Sequence, residues 1–221
     1  MKKSLKSFSY ITVREERAAQ LLEPLIGYFP EKVIDPTMLL SGQQWIELLG
    51  IDNKSSYNGK KNDNNEFQYV LCYFLSDNRK YWNAAKKFAK MHNLPIKIIP
   101  QGGLSFFEKG DICAEAGVKE FLEFILNATY VLTDSFHGTI FSLLMEKEVY
   151  IFERFQEDNY FSQNSRIKEL VKQFGIEEHF LPYGTSSITE KEYIDYTNIK
   201  KHLYLLQTNS NEILLNAIKS F

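Results

Sequence analysis

The sequence has few cysteines and no long apolar run. Two cysteines, Cys72 and Cys113, occur among 221 residues, which argues against a disulfide framework or a zinc site built from thiolates. No apolar run approaches the roughly 18 residues needed to span a bilayer. The basic start, residues 1–6, is not followed by the apolar core of a signal peptide. We therefore expect a soluble, cytoplasmic protein without a transmembrane segment.

The chain also lacks a strong excess of charge of either sign. Its 26 Lys and Arg residues and 28 Asp and Glu residues give a formal net charge of -2. A nucleic-acid surface needs clustered basic charge, so we expect no nucleic-acid partner. Apolar residues make up 44% of the chain and aromatic residues 14%, which supports a sizeable core.

Strands and helices alternate along the chain, which predicts an α/β fold with a Rossmann-like parallel sheet flanked by helices. The hydrophobic patterns predict strands at 8–13, 31–34, 69–75, 95–99, 130–133 and 149–152. They predict helices from 14, which Pro24 should end or kink, from the cap residue Ser41, at 79–92, 117–126, 137–145 and 164–174, and over most of 193–221. Residues 100–116 are predicted to form a loop.

A polar stretch interrupts this pattern at residues 53–66, which include the run Lys60 to Asn65. Such a composition cannot build a core and indicates a linker or a long surface loop. The predicted organisation has a remnant of an N-terminal Rossmann-like domain at 1–52 and a linker at 53–67. A C-terminal Rossmann-like domain follows at 68–192, and a helical segment at 193–221.

The turn at residues 133–138 combines the side chains best suited to chemistry. Ligands of open α/β sheets bind outside the carboxyl ends of the strands, and the helix that begins near His137 offers an anion its N–H groups and positive dipole end. Ser135 or Asp134 is the predicted N-cap, and Gly138 allows a ligand to approach the backbone. A bound phosphate would favour the charged form of His137, which could then act as a general acid. The alternative is that Asp134 and Ser135 only cap the helix and that His137 fills a polar pocket.

Three arginines are candidates for binding an anion. Arg154 follows a predicted strand and Arg166 opens the next helix, and guanidinium groups match phosphate and carboxylate in a bidentate way. Arg14 ends a strand of the opening segment and would face the ligand if that segment packs across a cleft. The alternatives are surface positions for Arg154 and Arg166, and a structural ion pair between Arg14 and Asp35. We find no cofactor motif and no cluster of metal ligands.

Several of these segments resemble the polysaccharide pyruvyl transferase family. The most specific is the run Thr133 to Gly138, and the resemblance covers roughly residues 8–182. The matching segments are 131–139, 141–142, 164–167 and 174–176, which are similar to the C-terminal half of the family, and 12–15 and 35–40 upstream. The resemblance implies a two-domain fold like that of GT-B glycosyltransferases, with a ligand cleft between two Rossmann-like domains.

The family moves a pyruvyl group from phosphoenolpyruvate to sugar hydroxyls as a ketal, in the biosynthesis of exopolysaccharides and cell-surface polysaccharides. The resemblance therefore implies phosphoenolpyruvate as donor, with no metal and no cofactor. The acceptor would be a saccharide or a lipid-linked oligosaccharide, and a lipid-linked acceptor would bring the protein to a membrane as a peripheral protein. The implied site consists of His137 and Asp134 as catalytic residues, and of Ser135, Gly138, Arg154, Arg166 and Arg14 as substrate-binding residues.

The chain departs from the family pattern at its start. Family members begin with a loop that contains glycine and asparagine, followed by most of an N-terminal Rossmann domain, and this chain shows neither. We therefore expect an incomplete enzyme. Two alternatives remain open: a GT-B-type nucleotide-sugar glycosyltransferase, and a truncated, catalytically silent fragment that binds a partner. Binding of phosphoenolpyruvate rather than a uridine or cytidine nucleotide would separate the first alternative from a pyruvyl transferase.

Overall fold

The computed structural model describes residues 2–5, 7–51, 68–157, 159 and 162–219. In chain order, the helices and strands are Lys2–Leu5 (α1), Thr12–Val13 (β1), Glu16–Ile26 (α2), Glu31–Lys32 (β2), Gly42–Leu49 (α3), Val70–Tyr73 (β3), Arg79–Met91 (α4), Ile96–Ile98 (β4), Asp111–Ile112 (β5), Val118–Asn127 (α5), Tyr130–Thr133 (β6), Phe136–Leu144 (α6), Glu148–Phe152 (β7), Asn164–Phe174 (α7), Phe180–Leu181 (β8) and Tyr196–Lys219 (α8). Short 3₁₀ helices occupy Pro36–Met38, Gly103–Phe106 and Glu177–His179. None of the helices in the described ranges combines the length and apolar composition that crossing a bilayer requires.

The chain divides into two compact units, which differ from the predicted domains. One unit contains Met1–Ser41 with Asp195–Phe221, and the other contains Gly42–Ile194. The helix α3 belongs to the larger unit, where Trp45 lies edge-on to Phe141 with 5.5 Å between ring centroids. The predicted linker at 53–67 lies outside the described residues.

The smaller unit joins the opening segment to the C-terminal helix. The strands β1 and β2 pair in parallel, with Thr12 opposite Glu31, and α2 connects them. Ser210 of α8 accepts a hydrogen bond from the Ile34 N–H at 3.0 Å, and the Gln207 side chain donates to the Met38 carbonyl at 2.8 Å. The helix α8 is therefore part of this unit rather than a separate segment.

Two predictions for the smaller unit are corrected. The predicted strand at 8–13 is limited to Thr12–Val13, because β2 offers only two paired residues. The helix α2 does not end at Pro24 but continues to Ile26 and stops at Gly27, whose φ of 89° is left-handed. A proline near the end of a helix removes one N–H donor, and the remaining bonds carry the helix through.

The larger unit confirms the predicted parallel α/β fold. Its sheet has six strands among the described residues, in the order β5-β4-β3-β6-β7-β8, and every neighbouring pair is parallel. The chain builds outward from β3 to β5, then returns to place β6 on the other side of β3. The strand order reverses between β3 and β6, and such a switch point opens a crevice at the carboxyl ends of the strands.

The core of this unit lies on both faces of the sheet. Val70, Leu71 and Cys72 of β3 are fully buried, as expected for a strand covered by helices on both sides. Aromatic side chains of α4, including Trp82 and Phe88, pack on one face. The sequence patterns did not predict the strands β5 and β8, and β5 lies within the predicted loop at 100–116. Each has two residues at a sheet edge, which is too short for a periodic pattern.

Candidate functional site

A pocket of about 110 Å³ lies at the carboxyl ends of β3, β6 and β7, beside the switch point. Five of the seven predicted site residues line it together: Asp134, Ser135, His137, Arg154 and Arg166. Leu75, Phe136, Phe155, Gln163, Asn164 and Ile167 complete the lining. Because parallel strands present their carboxyl ends at one edge, residues 75, 134–137 and 154–155 converge although they are far apart in the sequence.

The turn between β6 and α6 is held by its own residues. The Thr133 hydroxyl donates to the Tyr73 carbonyl at 2.7 Å and accepts from the Ser135 N–H at 3.0 Å. The Ser135 hydroxyl accepts from the Gly138 N–H at 3.2 Å, which makes Ser135 the N-cap of α6. Of the two predicted caps, the structure selects Ser135. The exposed side chain of His137, in the first turn of α6, lines the pocket.

Asp134 holds the neighbouring loop rather than the helix. Its carboxylate is buried, with 1% of the residue exposed, and accepts hydrogen bonds from the Leu75 N–H at 2.6 Å and the Ser76 N–H at 3.0 Å. The Ser76 hydroxyl also donates to it. Burial raises the pKa of Asp134, and the hydrogen bonds from Ser76 and Leu75 oppose this shift. The geometry therefore gives Asp134 a structural task, and its catalytic role stays a prediction.

Gly138 does not line the pocket. A Cβ added there would lie 2.6 Å from the Thr133 hydroxyl oxygen and 3.1 Å from a ring carbon of Tyr73. The space beside its Cα is thus filled by the protein itself. The close packing of α6 against β6 and β3 therefore requires a glycine here, and the role of Gly138 in substrate binding stays a prediction.

The two arginines of the pocket are supported by aromatic rings. The guanidinium carbon of Arg154 lies 5.0 Å from the ring centroid of Phe155, and that of Arg166 lies 4.3 Å from the ring centroid of Phe136. A cation over an aromatic face is stabilised by the ring quadrupole. These contacts restrict both guanidinium groups at the pocket. Arg154 and Arg166 are half-buried, whereas the alternative considered from the sequence was a fully solvated surface position for each.

Asn164 is a pocket residue that the sequence did not single out. Its side chain accepts from the Phe155 N–H at 3.1 Å and donates to the Phe155 carbonyl at 2.8 Å. It also donates to the Glu153 carboxylate at 3.1 Å. Asn164 is 5% exposed. Its position in the segment 164–167, which carries part of the family resemblance, was the only signal in the sequence.

Arg14 lies in the smaller unit, where it pairs with the buried carboxylate of Asp35. Asp35 also accepts hydrogen bonds from the N–H and the hydroxyl of Thr37, at 3.1 and 2.7 Å. The structural ion pair considered from the sequence is therefore present. Arg14 lines a separate pocket of this unit with mostly apolar neighbours such as Val33 and Leu39, and its role in substrate binding stays a prediction.

Metal ligands are not grouped in the described part of the chain. Within it, no three His, Cys, Asp or Glu side chains lie close enough together to hold a metal ion. The pocket instead presents the chemistry of an anion site. Two guanidinium groups, the imidazole of His137 and the N-terminus of α6 meet there, and each favours a negatively charged ligand.

Two comparisons with known proteins found similarity to this chain. The family model for polysaccharide pyruvyl transferase matches residues 1–154, a range that contains the β6–α6 turn and ends at Arg154. Among solved structures, the glycosyltransferase SnogD from Streptomyces nogalater is similar over 93% of this chain, with 10% identity and a TM-score of 0.44. The chain covers 62% of that structure, less than two thirds of its length. No curated protein matches the chain.

Proposed function

This chain belongs to the polysaccharide pyruvyl transferase family, and we propose that its pocket binds phosphoenolpyruvate as the donor of a pyruvyl group. The acceptor would be hydroxyls of a saccharide, free or lipid-linked, within the synthesis of a cell-surface or extracellular polysaccharide. One observation carries the proposal. Arg154, Arg166, His137 and the start of α6 line a single small pocket at the carboxyl edge of the sheet.

The charges around the pocket suit this donor. Phosphoenolpyruvate carries a phosphate and a carboxylate, and a guanidinium group can bind either one through two parallel hydrogen bonds. Among the described lining residues the one carboxylate is that of Asp134, and it accepts hydrogen bonds from Leu75 and Ser76. Those bonds offset the repulsion that an exposed carboxylate would exert on an anionic ligand.

The size of the pocket favours the small donor over a nucleotide sugar, which is the second candidate. Pockets for drug-sized ligands enclose roughly 300–1,000 Å³, whereas this pocket encloses about 110 Å³. A phosphorylated three-carbon acid needs far less space than a nucleoside diphosphate with its sugar. The volume therefore supports a pyruvyl transferase more than a nucleotide-sugar glycosyltransferase.

The proposed reaction assigns the proton transfer to His137. Its imidazolium would deliver a proton to the methylene carbon of phosphoenolpyruvate, and a sugar hydroxyl oxygen would bond to the central carbon. Phosphate then leaves with the electrons of its bond to that carbon, and a second sugar hydroxyl takes its place to close the ketal. The two hydroxyl protons replace the proton used by the methyl group and protonate the released phosphate. Arg154 and Arg166 would hold the phosphate and the carboxylate through these steps.

Ligand-dependent melting of this chain tests the proposed donor. A ligand that binds the folded state raises the melting temperature, so we expect an increase with phosphoenolpyruvate and none with UDP-glucose or CDP-glucose. Inorganic phosphate should give a smaller increase, because it lacks the carboxylate. An increase with a nucleotide sugar and none with phosphoenolpyruvate would favour the glycosyltransferase instead.

A further inference from the structure

We propose that Asn164 is a positioning residue that holds Arg154 and Arg166 at the spacing required to bind one anion. This inference rests on the proposed function, because it describes how the two arginines are positioned to bind the donor. Asn164 itself lines the pocket, and it lies beyond the residues matched by the family model.

The side chain of Asn164 makes two hydrogen bonds with the backbone of Phe155. Its amide oxygen accepts from the Phe155 N–H at 3.1 Å, and its amide nitrogen donates to the Phe155 carbonyl at 2.8 Å. A side-chain amide carries an acceptor oxygen and a donor nitrogen side by side, so it can bond to the N–H and the carbonyl of one residue at the same time. Because Asn164 is buried, the loss of these bonds would leave the Phe155 backbone groups without their partner.

Arg154 lies between two anchored residues. Phe155 on one side is bound by Asn164. Glu153 on the other side donates its N–H to the Leu181 carbonyl at 2.8 Å, and its carboxylate accepts from the amide nitrogen of Asn164 at 3.1 Å. The backbone of Arg154 is thus fixed at both ends, and Asn164 contributes to both anchors.

The same asparagine fixes the second arginine relative to the first. Asn164 is the first residue of α7 and Arg166 is in the same helical turn. A rigid helix carries Arg166, and the side chain of Asn164 ties that helix to the residue after Arg154. The two guanidinium groups rest on Phe155 and Phe136 respectively. A shift of the Phe155 backbone would therefore move the ring that supports Arg154 and change the distance between the two cations.

The test measures anion affinity in a double-mutant cycle. Isothermal titration of the full chain with phosphoenolpyruvate, and separately with inorganic phosphate, compares the wild type with Asn164→Ala, Arg154→Ala and the double variant. We expect Asn164→Ala to weaken binding about tenfold, the factor that corresponds to 1.4 kcal/mol. If Asn164 acts through Arg154, the same substitution should have almost no further effect in the Arg154→Ala background, because coupled residues are non-additive. Equal losses in both backgrounds, or no loss in either, would overturn the proposal.

A second variant and a second measurement guard against simple misfolding. Asn164→Asp keeps the shape and the acceptor for the Phe155 N–H, but it directs an oxygen at the Phe155 carbonyl and the Glu153 carboxylate. Amide hydrogen exchange of Phe155 should therefore quicken in Asn164→Ala and not in Asn164→Asp, whereas both variants should bind the anion more weakly. Slow exchange of Phe155 in a folded Asn164→Ala variant would contradict the proposed anchor. Ser165→Ala, an exposed neighbour on α7, serves as the matched control and should bind like the wild type.

The two ligands separate a failure of this inference from a failure of the proposed function. If the wild type binds inorganic phosphate but not phosphoenolpyruvate, the proposed donor is wrong, and the cycle with phosphate still decides the role of Asn164. If the wild type binds neither anion, the pocket is not an anion site and both proposals fall.

Discussion

The two segments that build the pocket are held in different ways. The β6–α6 turn is held by bonds among Thr133, Ser135 and Gly138, which are close in the sequence, and by bonds of Thr133 and Asp134 with residues 73–76. The β7–α7 loop is stabilised by bonds between residues that are far apart, such as Glu153 and the N–H of Tyr183 at 3.2 Å. The first wall of the site therefore combines local and long-range bonds, whereas the described part of the second wall is anchored through the side chains of Asn164 and Glu153.

The largest expected effect concerns the chemistry that the local turn supports. His137→Ala should lower the rate of phosphate release from phosphoenolpyruvate in the presence of saccharide acceptors to background, because general acid catalysis contributes about 10²–10⁴-fold. Inorganic phosphate can be measured with a coupled colorimetric assay. His202→Ala, an exposed position of α8, should release phosphate at the wild-type rate. Full activity of the His137 variant would remove the catalytic assignment, and an inactive wild type would favour the silent binding fragment.

The next effect concerns the loop and its arginine. Arg166→Ala should weaken phosphoenolpyruvate binding by about 1.5–3 kcal/mol, which is typical of a lost charge-assisted hydrogen bond. Titration calorimetry provides the measurement. Arg79→Ala removes the same charge from an exposed position at the start of α4 and should leave the affinity unchanged. If Arg166→Ala and Arg79→Ala bind phosphoenolpyruvate with the same affinity, Arg166 makes no specific contact with the donor. Any loss that they share would then come from the change in net charge.

Adding a methyl group at Gly138 in the β6–α6 turn should lower the stability of the protein. Gly138→Ala places a Cβ 2.6 Å from the Thr133 hydroxyl oxygen, and the buried neighbours leave little room to yield. We expect the free energy of unfolding to fall by about 1–3 kcal/mol, as measured by urea denaturation. A variant as stable as the wild type would show that the turn adapts more easily than its local bonds suggest.

The smallest expected effect tests which anchor of the loop matters. Lys168 forms an ion pair with the Glu153 carboxylate at 2.6 Å, but its side chain is 48% exposed. Exposed ion pairs contribute about 0–1 kcal/mol, so Lys168→Ala should change stability and anion affinity little. Chemical denaturation and titration can be compared directly with Asn164→Ala. If Lys168→Ala lowers the anion affinity as much as Asn164→Ala does, the exposed ion pair contributes as much to holding the loop as the buried amide.

The same contrast explains what could be predicted from the sequence. The parallel fold and the β6–α6 turn follow from periodicity, capping residues and strand ends, which are local signals. The role of Asp134 as a support for Leu75 and Ser76 could not be predicted, because those residues are 59 and 58 positions away in the chain, respectively. The anchoring by Asn164 was missed for a similar reason, since an asparagine at a helix start indicates only a cap.

Other differences have equally physical causes. The two-residue strands β5 and β8 lie at sheet edges and contain too few residues to show alternation. The sequence of α8 predicts only a helix, and the hydrogen bond that the Ile34 N–H donates to the Ser210 hydroxyl joins residues 176 positions apart. Pattern arguments give the elements, but the grouping of elements into units depends on such contacts.

The central claim is that Arg154, Arg166 and the start of α6 form one site for phosphoenolpyruvate. The most direct measurement is a crystal structure of this chain grown with phosphoenolpyruvate. We expect the donor in the pocket at the carboxyl ends of β3, β6 and β7, with its phosphate and carboxylate on the two guanidinium groups and its methylene carbon near His137. A donor bound elsewhere, with both arginines directed away from it, would contradict the claim.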